Sequence, residues 1–286
     1  MPIHQVVVMI RYLIVFMIGL ASISASKATS YDALYVIGDS YSDIGARYVD
    51  GNGPTAVAYL AQRMNIQMTY PQASNAENRG LDFAASGATS GSEGESEFHG
   101  LRWCCQGMLD QVSDFASRVR SGYLPFDPKS TLFFIAGGLN DAGLATEVTV
   151  SNLTHEISLL RENGALHVRL ALLPTKIPAF AVVGKRLNPV YRRLVPALRS
   201  QLGIDLQLSY WGSYFDEVLQ HPGRYGITNT TSKCAGRALF GEDETPCATP
   251  GTFFYYHEGH PSTVVHQIVG RKLYQEITTQ SLRRAR

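Results

Sequence analysis

The chain has no excess of charge of either sign. Its 25 Lys and Arg nearly balance 24 Asp and Glu, and charged residues make up only 17% of the 286 positions. A protein that grips a polyanion needs a basic face, so nucleic acid is excluded as a partner, and the Arg283-Arg284-Ala285-Arg286 tail reads as a solvated terminus. Long apolar runs are scarce as well. Residues 12–21 form one such run, shorter than the roughly 20 residues a membrane span needs, and no other segment approaches it. There is no internal repeat and no long low-complexity tract, which excludes a solenoid or a disordered chain. Four cysteines are few.

What is present begins with a leader. Arg11 precedes the apolar run, and small and polar residues ending Ser26-Lys27-Ala28 follow it. That order of basic, hydrophobic and cleavable regions predicts a signal peptide over residues 1–28, with an uncleaved anchor as the alternative. Residues 29–286 then form one large domain, secreted or periplasmic, with no stable membrane span.

Continuous apolar runs at 34–37, 81–85, 131–136, 168–173 and 206–211 read as buried parallel strands. Helical spacing lies between them: Val150, Leu153, Ile157 and Leu160 share one face, as do Leu187, Val190, Leu194, Ala197 and Leu198. Strands alternating with helices predict an α/β fold, a three-layer α/β/α sandwich with a mainly parallel sheet. Residues 86–100, rich in Gly, Ser and Glu, read as a surface loop.

The first strand run leads into Gly38-Asp39-Ser40, then Tyr41-Ser42-Asp43-Ile44-Gly45. A serine on the turn leaving a buried strand sits at the sheet edge where parallel α/β folds carry their chemistry. Alone, it would be a turn or helix-capping serine. Three further elements follow: Ser86-Gly87-Ala88 after the second run, Gly138-Leu139-Asn140-Asp141 after the third, and His260-Pro261 near the C-terminus. In these residues the chain resembles the GDSL family of esterases and lipases, the SGNH hydrolases, whose four namesake residues match Ser40, Gly87, Asn140 and His260. The likeness runs from about Tyr31 to the final helix, and it implies a five-stranded flavodoxin-like sheet and cleavage of carboxylic esters.

Ester cleavage needs a nucleophile, a base and donors aimed at the oxygen that becomes negative. Ser40 is the expected nucleophile. His260, on the loop before a helix-like run at 263–277, is the expected general base and later acid. Gly87 and Asn140, with the Ser40 backbone N–H, are the expected oxyanion donors; a turn glycine and an Asx-turn residue are the alternatives. Asp39, Asp43 and Asp141 are expected to shape turns.

One family element is missing. The resemblance implies Asp-x-x-His-Pro, with the aspartate orienting the histidine, yet the chain reads His257-Glu258-Gly259-His260-Pro261. A backbone carbonyl, the His257 imidazole or the Glu258 carboxylate could substitute. We expect a Ser40–His260 dyad oriented by His257 or by a carbonyl, with Glu258 pointing the other way. His257, Glu258 and His260, with His266 nearby, lack the four-residue helical spacing of a zinc motif, so neither a metal nor an organic cofactor is expected. His266 is expected to pack within the terminal helix.

In an exported chain Cys234 and Cys247 are expected to pair across a short polar loop, while adjacent Cys104 and Cys105 leave connectivity open. The aromatic run 253–256 suits an acyl pocket or a buried strand. The expected function is a secreted esterase or lipase acting on a small-molecule, lipid or glycan ester through an acyl-serine. A carbohydrate O-acetylesterase and a catalytically impaired binding protein are the alternatives.

Overall fold

The computed structural model describes residues 31–92, 96–98, 101–103 and 107–284; the leader, Cys104 and Cys105 lie outside the described residues. In chain order the strands are β1 (Ala33–Gly38), β2 (Gly80–Asp82), β3 (Ser96–Phe98), β4 (Leu101–Trp103), β5 (Thr131–Ala136), β6 (His167–Ala171), β7 (Asp205–Ser209), β8 (Asn229–Lys233), β9 (Phe253–His257) and β10 (His260–Pro261). The helices are α1 (Ala56–Arg63), α2 (Met108–Arg120), α3 (Thr146–Glu162), α4 (Ala181–Leu202), α5 (Trp211–Gln220) and α6 (Thr263–Arg284).

Five strands form one parallel sheet in the order β2-β1-β5-β6-β7. Every residue of β1 and β5 is buried, which is why both read as unbroken apolar runs rather than as alternating ones. Helices α1, α5 and α6 pack together on one side, and α2, α3 and α4 pack together on the other. The fold is therefore the expected α/β/α sandwich with a flavodoxin-like strand order. The chain steps outward from β1 to β2 in one direction and from β5 through β6 to β7 in the other. A crevice opens where those directions diverge, beyond the C-terminal ends of β1 and β5.

Local differences from the sequence reading have local causes. β2 covers three residues rather than 81–85, because the chain past Asp82 keeps only the Phe83 N–H to Val36 and Ala85 N–H to Gly38 bonds before swinging toward Gly87. The segment read as a loop at 86–100 contains β3, which pairs antiparallel with β4. The aromatic run becomes β9, in a small sheet β10-β9-β8, with Phe254 and Tyr255 buried. None of these aromatic residues lines the cavity that holds Ser40 and His260.

Candidate active site

Gly38 ends β1 against β5 so closely that a Cβ there would lie 2.5 Å from the Ala136 carbonyl oxygen. Gln111 of α2 locks the same residue from the side, accepting its N–H at 2.9 Å and donating to its carbonyl at 2.8 Å. With the strand end held, the chain turns at once: the N–H groups of Ser42 and Asp43 both donate to the Asp39 carbonyl. Ser40 stands on this turn, at the mouth of the crevice.

Two aspartates carry the other segments to the same place. Asp43 accepts from the N–H groups of Gly45 and Tyr48 and, at 2.8 Å, from that of Ser86, so the loop after β1 is tied to the residue preceding Gly87. Gly87 has φ +83°, a conformation that side chains resist. Asp141 accepts from the Ser90 N–H at 2.9 Å and the Thr149 hydroxyl at 2.8 Å, which fixes the turn bearing Asn140. The Asn140 amide donates to the Ala88 carbonyl at 2.8 Å.

Ser40 Oγ lies 2.7 Å from His260 Nε2, across 220 positions of sequence. Ser40, Gly87, Asn140 and His260 all line one cavity of about 270 Å³. Its remaining wall is largely apolar, with Ala179 and Phe180 before α4 and Leu239 and Phe240 from the loop after β8.

Around His260 the expected backbone carbonyl is present, but His257 is not in the orienting position. The His257 imidazole places Nδ1 2.7 Å from Asp50 Oδ1. Glu258 exposes its side chain and contributes its backbone carbonyl, 3.0 Å from His260 Nδ1. Two residues that the sequence reading did not single out complete the ring. Arg237 reaches His260 Nδ1 with Nη2 at 2.6 Å and donates to the Glu258 carbonyl at 2.7 Å. Asp50 accepts from Arg237 Nε at 3.0 Å and lies 3.2 Å from His260 Nε2 through Oδ2. Arg237 is held inside a loop closed by the Cys234–Cys247 disulfide. A charged residue within a disulfide loop was the one available signal for Arg237; nothing local marked Asp50.

Burial would raise the Asp50 carboxyl, but His260, His257 and Arg237 together outweigh it and hold the group down at about 2. Burial lowers His260 below its ordinary value, with Asp50 opposing and Arg237 adding to that shift. His266, in α6, is lowered by burial and by His260 to about 3, and its Nδ1 accepts the Ala56 N–H at 3.1 Å. Behind the site, the buried Tyr41 ring packs against Phe180, Trp211, Phe215, His260 and His266.

The fold places the chain among three-layer α/β/α proteins whose chemistry lies at the strand ends. Residues 34–273 match the GDSL-like Lipase/Acylhydrolase family, and the chain belongs to that family of ester hydrolases. Structures of similar fold include the psychrotrophic esterase EstA from Pseudoalteromonas sp., 12% identical, covering 87% of this chain and 98% of that one with a TM-score of 0.48. Another is Est24, a carbohydrate acetylesterase from Sinorhizobium meliloti, at 10% identity, 87% and 99% coverage and TM-score 0.47. A third is Axe2, an acetylxylan esterase from Geobacillus stearothermophilus, at 18% identity, 88% and 96% coverage and TM-score 0.43. No curated protein matches the sequence.

Proposed function

We propose that the chain is an exported serine esterase that cleaves carboxylic esters through an acyl-serine intermediate. The observation that carries this reading is the 2.7 Å approach of Ser40 Oγ to His260 Nε2 inside a cavity shared with Gly87 and Asn140. With Nδ1–H turned to the Glu258 carbonyl, His260 keeps its lone pair on Nε2 and takes the Ser40 proton there while Oγ attacks the ester carbonyl carbon. The resulting oxyanion accepts from the N–H groups of Ser40 and Gly87 and from Asn140. An amide nitrogen carries two hydrogens, and Ala88 uses only one of them. His260 then gives its proton to the departing alkoxide, and a water molecule, activated the same way, releases the acid and restores Ser40.

Export is supported by the leader pattern over residues 1–28 and by the Cys234–Cys247 bridge, a bond that persists in oxidising compartments. Among the described residues no helix is long and apolar enough to cross a membrane. The apolar walls at Phe180, Leu239 and Phe240 favour an ester with an uncharged acyl group.

Hydrolysis of nitrophenyl acetate, butyrate and octanoate by wild type, Ser40→Ala and His260→Ala tests the reading, with an organophosphorus probe mapped to its labelled peptide. Turnover lost in both variants and label on Ser40 are expected. A wild type inert toward these esters and toward acetylated xylan, or label on another residue, would overturn it.

A further inference from the structure

We propose that Asp50 supplies the negative charge missing from the segment before His260, delivered from the loop after β1 and held in place by Arg237 and His257. The proposal rests on the esterase reading above, since it assigns a charge partner to the base of that reaction.

The geometry assigns every oxygen of Asp50. Oδ1 accepts from His257 Nδ1 at 2.7 Å and from Arg237 Nε at 3.0 Å, while Oδ2 lies 3.2 Å from His260 Nε2. The side chain is only 9% exposed, and a carboxylate removed from water to that extent is retained only where partners compensate. All three partners here are nitrogen groups, and one of them, His260 Nε2, is the reacting nitrogen itself.

The need for such a charge follows from Arg237. Its guanidinium is permanently cationic, and its Nη2 is 2.6 Å from His260 Nδ1. When His260 accepts the Ser40 proton it becomes a second cation against the first. Asp50 is in contact with both of them. With Asp50 ionised, the Arg237–Asp50–His260 group passes from neutral to singly positive as the oxyanion forms. Without it, the group would pass from one positive charge to two. The new Nε2–H also has Asp50 Oδ2 within reach, in addition to the serine oxygen, until the proton passes to the leaving alkoxide.

The residue at 257 explains why the charge comes from elsewhere. An aspartate there would be an acceptor facing His260. Histidine there is a donor, and it faces Asp50, with its ring stacked on Tyr48 at an interplanar angle of 14°. The carboxylate has moved from the segment preceding His260 to the loop following Ser40, and the donor at 257 helps to anchor it.

Four variants read out the proposal: Asp50→Asn, Asp50→Glu, Arg237→Gln and the double variant Asp50→Asn with His257→Asp. The substrate is nitrophenyl butyrate, the measurements are kcat and KM from pH 4 to 9, and thermal unfolding monitors folding. Asp50→Asn should lose about a hundredfold or more in kcat at pH 7, with KM within about threefold of wild type. Asp50→Glu should recover part of the loss. Restoring the family arrangement through His257→Asp should raise the Asp50→Asn rate by about tenfold or more.

The acid limb of the profile adds a signature that a purely structural role would not give. The groups around His260 are Ser40, Asp50 and His257, Arg237 and the Glu258 carbonyl, the Tyr41 and Phe180 rings, and His266 from α6. Removing the anion should move the limb to lower pH, and removing the cation at 237 should move it to higher pH. Asp50→Asn within about threefold of wild-type kcat, or a double variant no faster than Asp50→Asn, would overturn the proposal. If Asp50→Asn does not fold, the Arg237→Gln limb decides, and one that fails to rise overturns it. A wild type without esterase activity or Ser40 labelling would instead defeat the underlying reading.

Discussion

The hydroxyl of Tyr41 donates to the carbonyl oxygen of Gly259 at 2.5 Å, so the residue after Ser40 grips the residue before His260. This bond ties the two halves of the dyad directly, and it does so from a ring that is fully buried. Tyr41→Phe keeps the ring and removes the donor. It should destabilise the protein by about 1–2 kcal/mol and lower kcat by about tenfold with KM little changed. Steady-state kinetics beside a urea titration checks both. A variant less stable but equally fast would show that the carbonyl needs no anchor.

Asn140→Ala removes one donor from the proposed oxyanion site while leaving the dyad intact. The expected loss is about 2.7–4 kcal/mol of transition-state stabilisation, a fall of about 100- to 1,000-fold in kcat, with KM nearly constant. A kcat within about threefold of wild type would reduce Asn140 to a turn residue bonded to Ala88.

The Cys234–Cys247 bridge closes the loop that carries Arg237, Leu239 and Phe240 to the cavity. Replacing both cysteines by serine should cost about 3 kcal/mol of stability in the chain-entropy account. Activity should fall as well, because the loop brings its side chains to His260 and to the apolar wall. Unfolding midpoints and kcat for wild type and the double variant separate the two effects. Undiminished kcat would mean that the backbone bonds from Cys234 and Ala235 to Tyr256 suffice to place the loop.

Titration of two histidines should be visible in different measurements. His260 must be neutral to accept a proton, and burial lowers its pKa from the ordinary histidine value, so activity should reach half its plateau at a pH below that of a free imidazole. A midpoint above 7 would contradict this. His266 is held at about 3 by burial, so in the unfolded chain it binds a proton at a pH where the native state does not. Its contribution to stability is complete above about pH 6.5 and is lost as pH falls toward 3. Asp39, raised by burial to about 7, acts with the opposite sign, losing stability as pH rises from about 4 toward 7. The diagnostic quantity is therefore the difference between wild type and His266→Asn. That difference should grow in favour of wild type from pH 3 to 6.5 and stay level above, as read from urea midpoints.

Glu156 is fully buried in α3, and neither carboxyl oxygen has a partner among the described residues. Burial, with Asp141 adding to it, pushes this carboxyl well above its ordinary range. A group shifted upward contributes fully below its unfolded value and loses stability as pH rises past it. Glu156→Gln cannot ionise, so it should match wild type near pH 4 and exceed it at pH 8. Thermal unfolding at the two pH values tests this, and an equal offset at both would refute it.

How legible the molecule was depends on the range of the forces involved. β1, β5 and β6 were readable because strands buried in a parallel sheet leave continuous apolar runs. β2 was only half readable, since Phe83 to Ala85 remain apolar after the chain has left the ladder. The β3–β4 pair was hidden in a stretch whose Gly, Ser and Glu content reads as loop. Ser40, Gly87, Asn140 and His260 could be picked out because the short motifs around them resemble those of the family, the first three after buried runs and the last before a helix. Asp50 and Arg237 could not, because no short motif marks either of them and their pairing joins positions 187 apart.

The alternation of the central buried strands with helices, the turn that carries Ser40 and the absence of a carboxylate at position 257 were determined by the sequence alone. Burial and backbone preference act over a few neighbouring residues and leave a local pattern. Only the tertiary structure decided what surrounds His260 instead. A charge acts through space over a few ångströms, and which charges come that close is set by where β1, the disulfide loop and β10 meet.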